Sequence, residues 1–252
     1  SASVGWRIAE ESFMEAAPQV STMKLRLSYG QTGNFEIPNY GAYGNLRFQS
    51  YVNGTQNVIT GVEPQDLGDP GLTWETTEEV NVGLDIGLFD DRVLVEADAY
   101  RSVTSDLLLN VSVPSASGYE TVLTNIGEVE NTGLELFLET QNLTGEFSWS
   151  TSVNFSTNNN EVTALGPGDA PIRSSGVAGI RHITRVGDPI GSYYGYVTDG
   201  VFQSEEEIQN APEDMVGNPS PGDLRFKDIN GDGQITPDDK TVTGSYQPDF
   251  TY

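Results

Sequence analysis

The sequence predicts an all-β protein whose strands form part of a large antiparallel transmembrane β-barrel. Three observations predict this fold: apolar and polar residues alternate along several segments, the connections between these segments are alternately short and long, and acidic residues occupy polar positions inside strands. Alternation with a period of two is typical of a strand with one apolar and one polar face. Short turns at one end and long loops at the other are typical of barrels in outer membranes.

The composition excludes several other classes of protein. The 252 residues include 37 acidic and 12 basic side chains, a formal net charge of −25, and no cysteine. The absence of cysteine excludes a disulfide framework, a thiolate metal site and a cysteine nucleophile. The acidic charge argues against a nucleic-acid partner, because a phosphate backbone needs a basic surface. No apolar run approaches the roughly 20 residues that a membrane-spanning helix needs.

The predicted strands are read from their alternation. From residue 80 to 88 every second residue is Val, Leu or Ile, and after a short turn at 89–92 the alternation resumes at 93–99. Two alternating segments around a short turn predict a hairpin. The same pattern occurs at 23–29, at 134–139 and at 147–155. About six strands can be counted, and another begins at 249–252.

The connections between these strands differ in length. The links at 89–92 and 141–146 are short, whereas those at roughly 30–74, 102–125 and 158–248 are long. Loops of more than about 15 residues are uncommon in compact domains, yet here they fall on every second connection. We therefore expect residues 1–252 to belong to one barrel domain, with a long outer loop region at 158–248.

A soluble β-sandwich is the alternative, because its strands also alternate apolar and polar residues. Two details favour the barrel. Acidic residues inside the strands suit a water-filled lumen, and aromatic residues near strand ends suit the girdle of a barrel at the membrane interface. The acidic residues are Asp85, Glu96, Asp98, Glu135 and Glu139, and the aromatic ones are Trp149 and Phe155.

One segment, residues 228–239, matches the calcium-loop pattern D-x-[DN]-x-[DN]-G. Calcium prefers six to eight oxygen ligands, and side chains at loop positions 1, 3 and 5 converge on one point while glycine at position 6 permits the turn. The expected ligands are Asp228, Asn230, Asp232, Gln234 through its carbonyl, Thr236 and Asp239. The segment has no flanking amphipathic helices, so a structural calcium ion in a long loop fits better than an EF-hand. The alternative is an acidic turn without a metal.

Two further motifs lie in the same region. The glycine- and tyrosine-rich segment 191–196 predicts a weak substrate surface at Tyr193, Tyr194 and Tyr196, because aromatic faces suit the C–H surfaces of sugars; a packing role is equally compatible. Residues 204–207 read as the capping box of a short helix. His182 is the only histidine and has no Ser or Cys constellation nearby, and no pair of carboxylates stands out as a catalytic pair. We therefore expect no enzyme activity.

Several sequence blocks resemble the SusC/RagA family of TonB-linked outer-membrane transporters. In chain order these blocks are KLRLSYGQTGN (24–34), LTWETTEEVNVGLD (72–85), NIGEVENTGLE (125–135), VGDPIGSYYGY (186–196), GDLRFKDINGDG (222–233) and PDFTY (248–252). They span nearly the whole chain.

The resemblance implies a barrel of about 22 strands with a plug domain, of which this chain is part of the C-terminal half. It implies TonB-dependent uptake of glycan oligomers or peptides across the outer membrane of a Gram-negative bacterium, with a SusD-like lipoprotein as an external lid. The plug and the TonB-contacting segment have no counterpart in these residues. The alternative function is a secreted, calcium-dependent β-domain that binds glycans.

Overall fold

The computed structural model describes residues 1–37, 39–52, 54, 57–119, 121–166, 168–175 and 181–252. The chain divides into two compact units. We call the first, Ser1–Ala170 with Pro248–Tyr252, the sheet unit, and the second, Pro171–Gln247, the loop unit. Among the described residues, no helix has the length and apolar character needed to cross a membrane.

The secondary structure consists almost entirely of strands. Their bounds are β1 (Ala2–Arg7), β2 (Val20–Asn34), β3 (Leu46–Val52), β4 (Val58–Pro64), β5 (Glu75–Leu88), β6 (Val93–Ser105), β7 (Leu108–Ser112), β8 (Thr121–Asn125), β9 (Glu128–Thr144), β10 (Ser148–Ala164), β11 (Ile172–Ser175), β12 (Arg181–Thr184), β13 (Ser192–Gly195), β14 (Thr198–Val201), β15 (Glu213–Asp214), β16 (Leu224–Phe226), β17 (Gln234–Ile235), β18 (Thr241–Gly244) and β19 (Phe250–Thr251). The α-helix α1 spans Glu205–Gln209, and 3₁₀ turns occupy Ile8–Glu10, Ser12–Ala16, Ser115–Ser117 and Pro237–Asp239.

The sheet unit is built on one antiparallel sheet with the strand order β1-β2-β5-β6-β9-β10-β19. Neighbours in the sheet follow one another along the chain apart from three insertions in the long connections. These are the hairpin β3–β4, the hairpin β7–β8, and the loop unit between β10 and β19. The prediction of six strands and the beginning of a seventh is therefore confirmed. The strands are longer than their alternation indicates, because β2 runs to Asn34, β6 to Ser105 and β10 to Ala164.

One face of this sheet is apolar and exposed. A single row crosses the sheet in register through Trp6, Leu25, Leu84, Ala97, Leu136 and Phe155. Neighbouring rows add the similarly exposed Leu27, Val82, Leu134 and Val153. Large apolar side chains exposed in a continuous stripe indicate a surface that is covered by a non-aqueous environment or a partner. We call this surface the outer face.

The opposite, inner face is polar along most of its length. Its rows carry Arg26, Asp85, Glu96, Asp98 and Glu135. Only at the end where the long connections begin does this face become apolar and buried, at Val129, Val162 and the following Leu165. The core of the sheet unit thus sits at the loop end, and among the described residues no buried apolar cluster lies beneath the rest of the sheet.

The loop unit has its own small sheet, β11-β12-β13-β18, and two short strand pairs, β14–β16 and β15–β17. Among the described residues of this unit, the buried apolar ones are Ile183, Phe202 and Ile235. The predicted helix after Ser204 is confirmed as α1, because the Ser204 hydroxyl accepts a hydrogen bond from the Glu207 backbone N–H. Because β10 continues to Ala164, the loop region expected at 158–248 begins after that residue, and it contains folded structure.

Candidate functional site

The inner face carries an ion-pair network that joins three strands. The Arg26 guanidinium on β2 donates from Nη2 to Asp85 Oδ1 at 2.8 Å and to Asp98 Oδ2 at 2.9 Å, and its Nε also donates to Asp85. Charge-assisted hydrogen bonds of this kind are stronger than neutral ones. The network therefore ties β2 to β5 and β6 through side chains as well as through the backbone ladder.

Glycine 83 makes this network possible. It lies on β5 directly between Arg26 and Asp98, which are its partners in register. A Cβ atom at this position would lie 2.6 Å from Arg26 Cζ and in collision with Asp98 Oδ1. Since glycine has no side chain, the guanidinium can lie against the β5 backbone and reach the next strand.

A second glycine supports a similar arrangement one row further toward the loop end. Tyr100 lies across Gly133, where an added Cβ would be 2.5 Å from the phenolic oxygen, and donates to Asn158 Oδ1 at 3.0 Å. The Tyr100 ring thus fills the gap that Gly133 leaves on the inner face, and its hydroxyl joins β6 to β10. Hydrogen bonds thus fix Arg26 and Tyr100 in neighbouring polar rows of the inner face.

The predicted calcium loop is folded around its own backbone amides. Both carboxylate oxygens of Asp228 accept backbone N–H bonds, from Gly231 at 2.6 Å and Gly233 at 2.8 Å. Asn230 Oδ1 accepts from the N–H of Asp232 at 2.9 Å, and Asp232 Oδ1 accepts from the N–H of Gln234 at 2.8 Å. The shape of this loop is therefore held by hydrogen bonds within the segment itself.

Asp239 has a role that the sequence analysis did not assign to it. Its side chain is fully buried and accepts N–H bonds from Ile229 at 2.9 Å and Thr236 at 2.8 Å. Together with Thr236 it forms a capping box around the 3₁₀ turn Pro237–Asp239. Donation by these amides, that of Thr236 foremost, lowers the pKa of Asp239 below its ordinary value of 3.8. Asp239 thus joins the beginning of the loop to its end.

Calcium at this loop stays a prediction. Among the described residues, no group of three or more acidic or histidine side chains is arranged to hold a metal ion. A calcium ion here would draw on amide, hydroxyl and carbonyl oxygens besides the carboxylates of Asp228 and Asp232, in line with the hard-oxygen preference of the ion.

The three tyrosines of the predicted substrate surface are not brought together as one platform. Tyr193 pairs in register with His182, with ring centroids 5.4 Å apart. Tyr194 and Tyr196 each have a cation over one ring face, from Arg173 at 5.8 Å and Lys240 at 5.0 Å. Tyr196 also packs on Phe226 at 4.9 Å. These contacts favour the packing role, and a substrate role stays a prediction.

Sequence reasoning missed one surface, the apolar face of the β3–β4 hairpin. Leu46, Phe48 and Val52 on β3 share a face with Val58 and Val62 on β4, and all five are exposed, Phe48 at 81%. The opposite face carries the ion pair between Arg47 and Glu63 at 2.6 Å. A short alternation of apolar and polar residues at 46–52 is a signal that could have located this hairpin, although it lies within a long connection.

This chain resembles known proteins that are described as TonB-dependent receptors. The family model described as "TonB dependent receptor-like, beta-barrel" matches residues 1–251. TonB-dependent receptor P3 of Formosa agariphila is 37% identical over 259 residues, which cover 100% of this chain and 25% of that protein. TonB-dependent receptor SusC of Bacteroides thetaiotaomicron is 30% identical over 258 residues, or 96% of this chain and 24% of SusC.

A solved structure agrees with these relatives. The structure described as that of the RagAB peptide transporter superposes with a TM-score of 0.76 at 26% identity and covers 98% of this chain and 26% of that one. This chain therefore spans about a quarter of the length of the relatives that it matches.

Proposed function

Because the chain belongs to the TonB-dependent receptor β-barrel family, in its SusC/RagA group, we propose that it forms part of the wall of an importer that passes a bulky nutrient across the outer membrane without changing it chemically. Proteins of this family are β-barrels of the outer membrane of Gram-negative bacteria, and this chain is part of such a barrel. The proposed substrates are glycan oligomers or peptides.

The observation that carries this proposal is the division of one sheet into an apolar outer face and a polar inner wall. A transmembrane barrel presents apolar residues to lipid and polar residues to its lumen along every strand. Here the row through Leu25, Leu84 and Leu136 is apolar, and the adjacent row on the other face contains Arg26, Asp98 and Glu135. A secreted glycan-binding domain, the alternative, would leave the outer face in water.

The proposed partners are a SusD-like lipoprotein at the loop end and TonB, which would act through regions outside these residues. Two observations support the lipoprotein. The β3–β4 hairpin exposes an apolar face at the loop end of the sheet, of the kind that marks protein interfaces. The similar solved structure is described as a peptide transporter named RagAB.

Uptake by cells that carry the full-length protein tests this function. We expect energised, saturable uptake of labelled oligopeptides or oligosaccharides that a protonophore abolishes.

Phe48→Asp combined with Val62→Asp places charge on the apolar hairpin face, so we expect at least a tenfold loss of both uptake and co-purified lipoprotein. Gln49→Asp, on the opposite face of the same strand, is the matched control and should leave both unchanged. Uptake that persists without the proton gradient would contradict the proposal.

We also propose that the loop at 228–239 takes a structural calcium ion, as its sequence pattern indicates. Replacing Asp228 with Ala removes a carboxylate ligand and two backbone contacts. Replacing Asp232 with Asn removes the charge and one acceptor oxygen but keeps an oxygen for the Gln234 N–H. In the full-length protein, calcium should slow protease cleavage of the wild-type loop about tenfold, and both variants should lose this calcium-dependent part of the protection. Equal cleavage of the wild type with calcium and with chelator would remove the claim.

A further inference from the structure

Two of the sequence blocks, LTWE (72–75) and NIGE (125–128), meet in space through the side chain of Asn125. The Thr73 N–H donates to Asn125 Oδ1 at 2.6 Å, and Asn125 Nδ2 donates back to the Thr73 carbonyl at 2.8 Å. The same Nδ2 donates to the carbonyl of Asp106 at 2.8 Å. The amide therefore pairs with Thr73 as another peptide group would, and only a side chain with both an acceptor and donors can do this.

The contact joins the two long connections at their bases. Thr73 lies near the end of the connection between β2 and β5. Asp106 precedes the hairpin β7–β8 between β6 and β9, and Asn125 is its last residue. Asp106 is held in the left-handed region at φ 58°, a conformation that few residues other than glycine adopt. Its carbonyl accepts from Asn125, so the amide also fixes the strained turn at which β7–β8 leaves the sheet.

Further contacts continue from Asn125 toward the β3–β4 hairpin. Thr124 hydrogen-bonds to Asp69 through its hydroxyl, and Leu67 forms a parallel bridge with Val122 on β8. This hydrogen bond, with one from the Gly71 N–H, lowers the pKa of Asp69 and so keeps it ionised as an acceptor.

Next to Leu67, the two chain segments at the base of the β3–β4 hairpin lie in close contact. A Cβ on Gly68 would lie 2.5 Å from the Gly44 backbone nitrogen, and one on Gly44 would lie 2.7 Å from the Asp66 carbonyl oxygen. Asn45 Nδ2 donates to the Asp66 carboxylate at 3.1 Å. Backbone segments this close cannot slide past each other without separating, because atoms in contact leave no free volume.

We propose that Asn125 is a positioning residue that locks the hairpins β3–β4 and β7–β8 into one body at the loop end of the sheet, so that movement of either hairpin moves the other. A partner or substrate that displaces one hairpin then displaces the other as well. The coupling follows from contacts inside the sheet unit and does not depend on what the protein transports.

Hydrogen exchange of the full-length protein in detergent tests the coupling. Asn125→Asp keeps the shape of the side chain but replaces the donor Nδ2 with an oxygen that faces the carbonyls of Thr73 and Asp106. We expect exchange in both hairpins, at 46–64 and 108–125, to become about tenfold faster. Asn110→Asp on β7 is the control. It adds the same negative charge at an exposed position whose side chain makes no hydrogen bond in the described structure. It should leave 46–64 unchanged.

A rescue separates coupling from general damage. Leu67→Cys with Val122→Cys places a disulfide across the parallel bridge, which should restore slow exchange at 46–64 in the Asn125→Asp protein and lose this effect on reduction. Exchange within β5, β6 and β9 reports whether the barrel is intact. If Asn125→Asp disturbs the barrel, Thr124→Val replaces it, because this variant removes the hydroxyl that binds Asp69. Faster exchange at 46–64 is expected for Thr124→Val as well. Unchanged exchange at 46–64, or a disulfide that restores nothing, would overturn the proposal.

Discussion

Val153→Arg is expected to lower the free energy of unfolding of the full-length barrel by about 2–4 kcal/mol, whereas Asn154→Arg should change it by less than about 0.5 kcal/mol. The two residues are neighbours on β10. Val153 lies on the outer face, in a row with Ile86, Val95 and Leu138, and Asn154 points to the inner wall beside Phe137. A cation on the lipid face must be taken out of water, and the same cation on the inner wall stays hydrated.

The measurement is equilibrium unfolding in denaturant of protein refolded into lipid vesicles, with the native tryptophans as the optical probe. The comparison is sharp because strand, substituent and depth are the same, and only the face differs. Equal losses of stability for the two variants would mean that the outer face is not against hydrocarbon, and the barrel assignment of this sheet would then fall.

The central hairpin could be predicted from the sequence because alternation reports the face of each residue and the short link joins the two strands. Residues 80–88 and 93–99 pair as expected around the turn at 89–92. The strand ends could not be predicted in this way. Gln31–Asn34 and Asn158–Asn160 are polar on both faces, so no alternation marks them, and they belong to strands only because the neighbouring strands continue beside them.

Alternation also cannot tell the interior of a sandwich from the lipid face of a barrel. In both folds one face is apolar, and the difference lies in what covers it. The structure shows the row through Leu136 and Phe155 uncovered, and the family match supplies the environment.

The calcium pattern shows a related limit. Asp and Asn are favoured in turns because their side chains accept hydrogen bonds from nearby backbone amides. Asp228, Asn230 and Asp232 do this here. The same residues at the same spacing suit calcium, so the sequence alone does not separate the two uses. The sequence Thr-Pro-Asp-Asp (236–239) also contains the capping box of Thr236 and Asp239, two residues that the calcium pattern predicts as ligands.

The role of Gly83 could not be predicted from one sequence, because its neighbours Arg26 and Asp98 come from two other strands. Replacing Gly83 is the second prediction. We expect Gly83→Val to lower the free energy of unfolding by about 2–5 kcal/mol, since the new side chain overlaps the guanidinium and breaks a charge-assisted pair. Gly5→Val is the matched control. Gly5 flanks Arg26 in the same row. A Cβ there meets the flexible end of Lys24 at 3.1 Å and the Leu25 carbonyl oxygen at an ordinary contact distance of 3.9 Å. Its effect should stay below about 1 kcal/mol.

A double-mutant cycle shows whether Gly83 acts through Arg26. In an Arg26→Ala background the guanidinium is gone and the Asp98 carboxylate is no longer held against β5, so Gly83→Val should cost about 1–3 kcal/mol less than in the wild type. Strictly additive losses would mean that valine at position 83 disturbs the strand itself and not the network. A coupled result would show that the inner wall tolerates its charges because one glycine lets a single arginine reach two carboxylates on neighbouring strands.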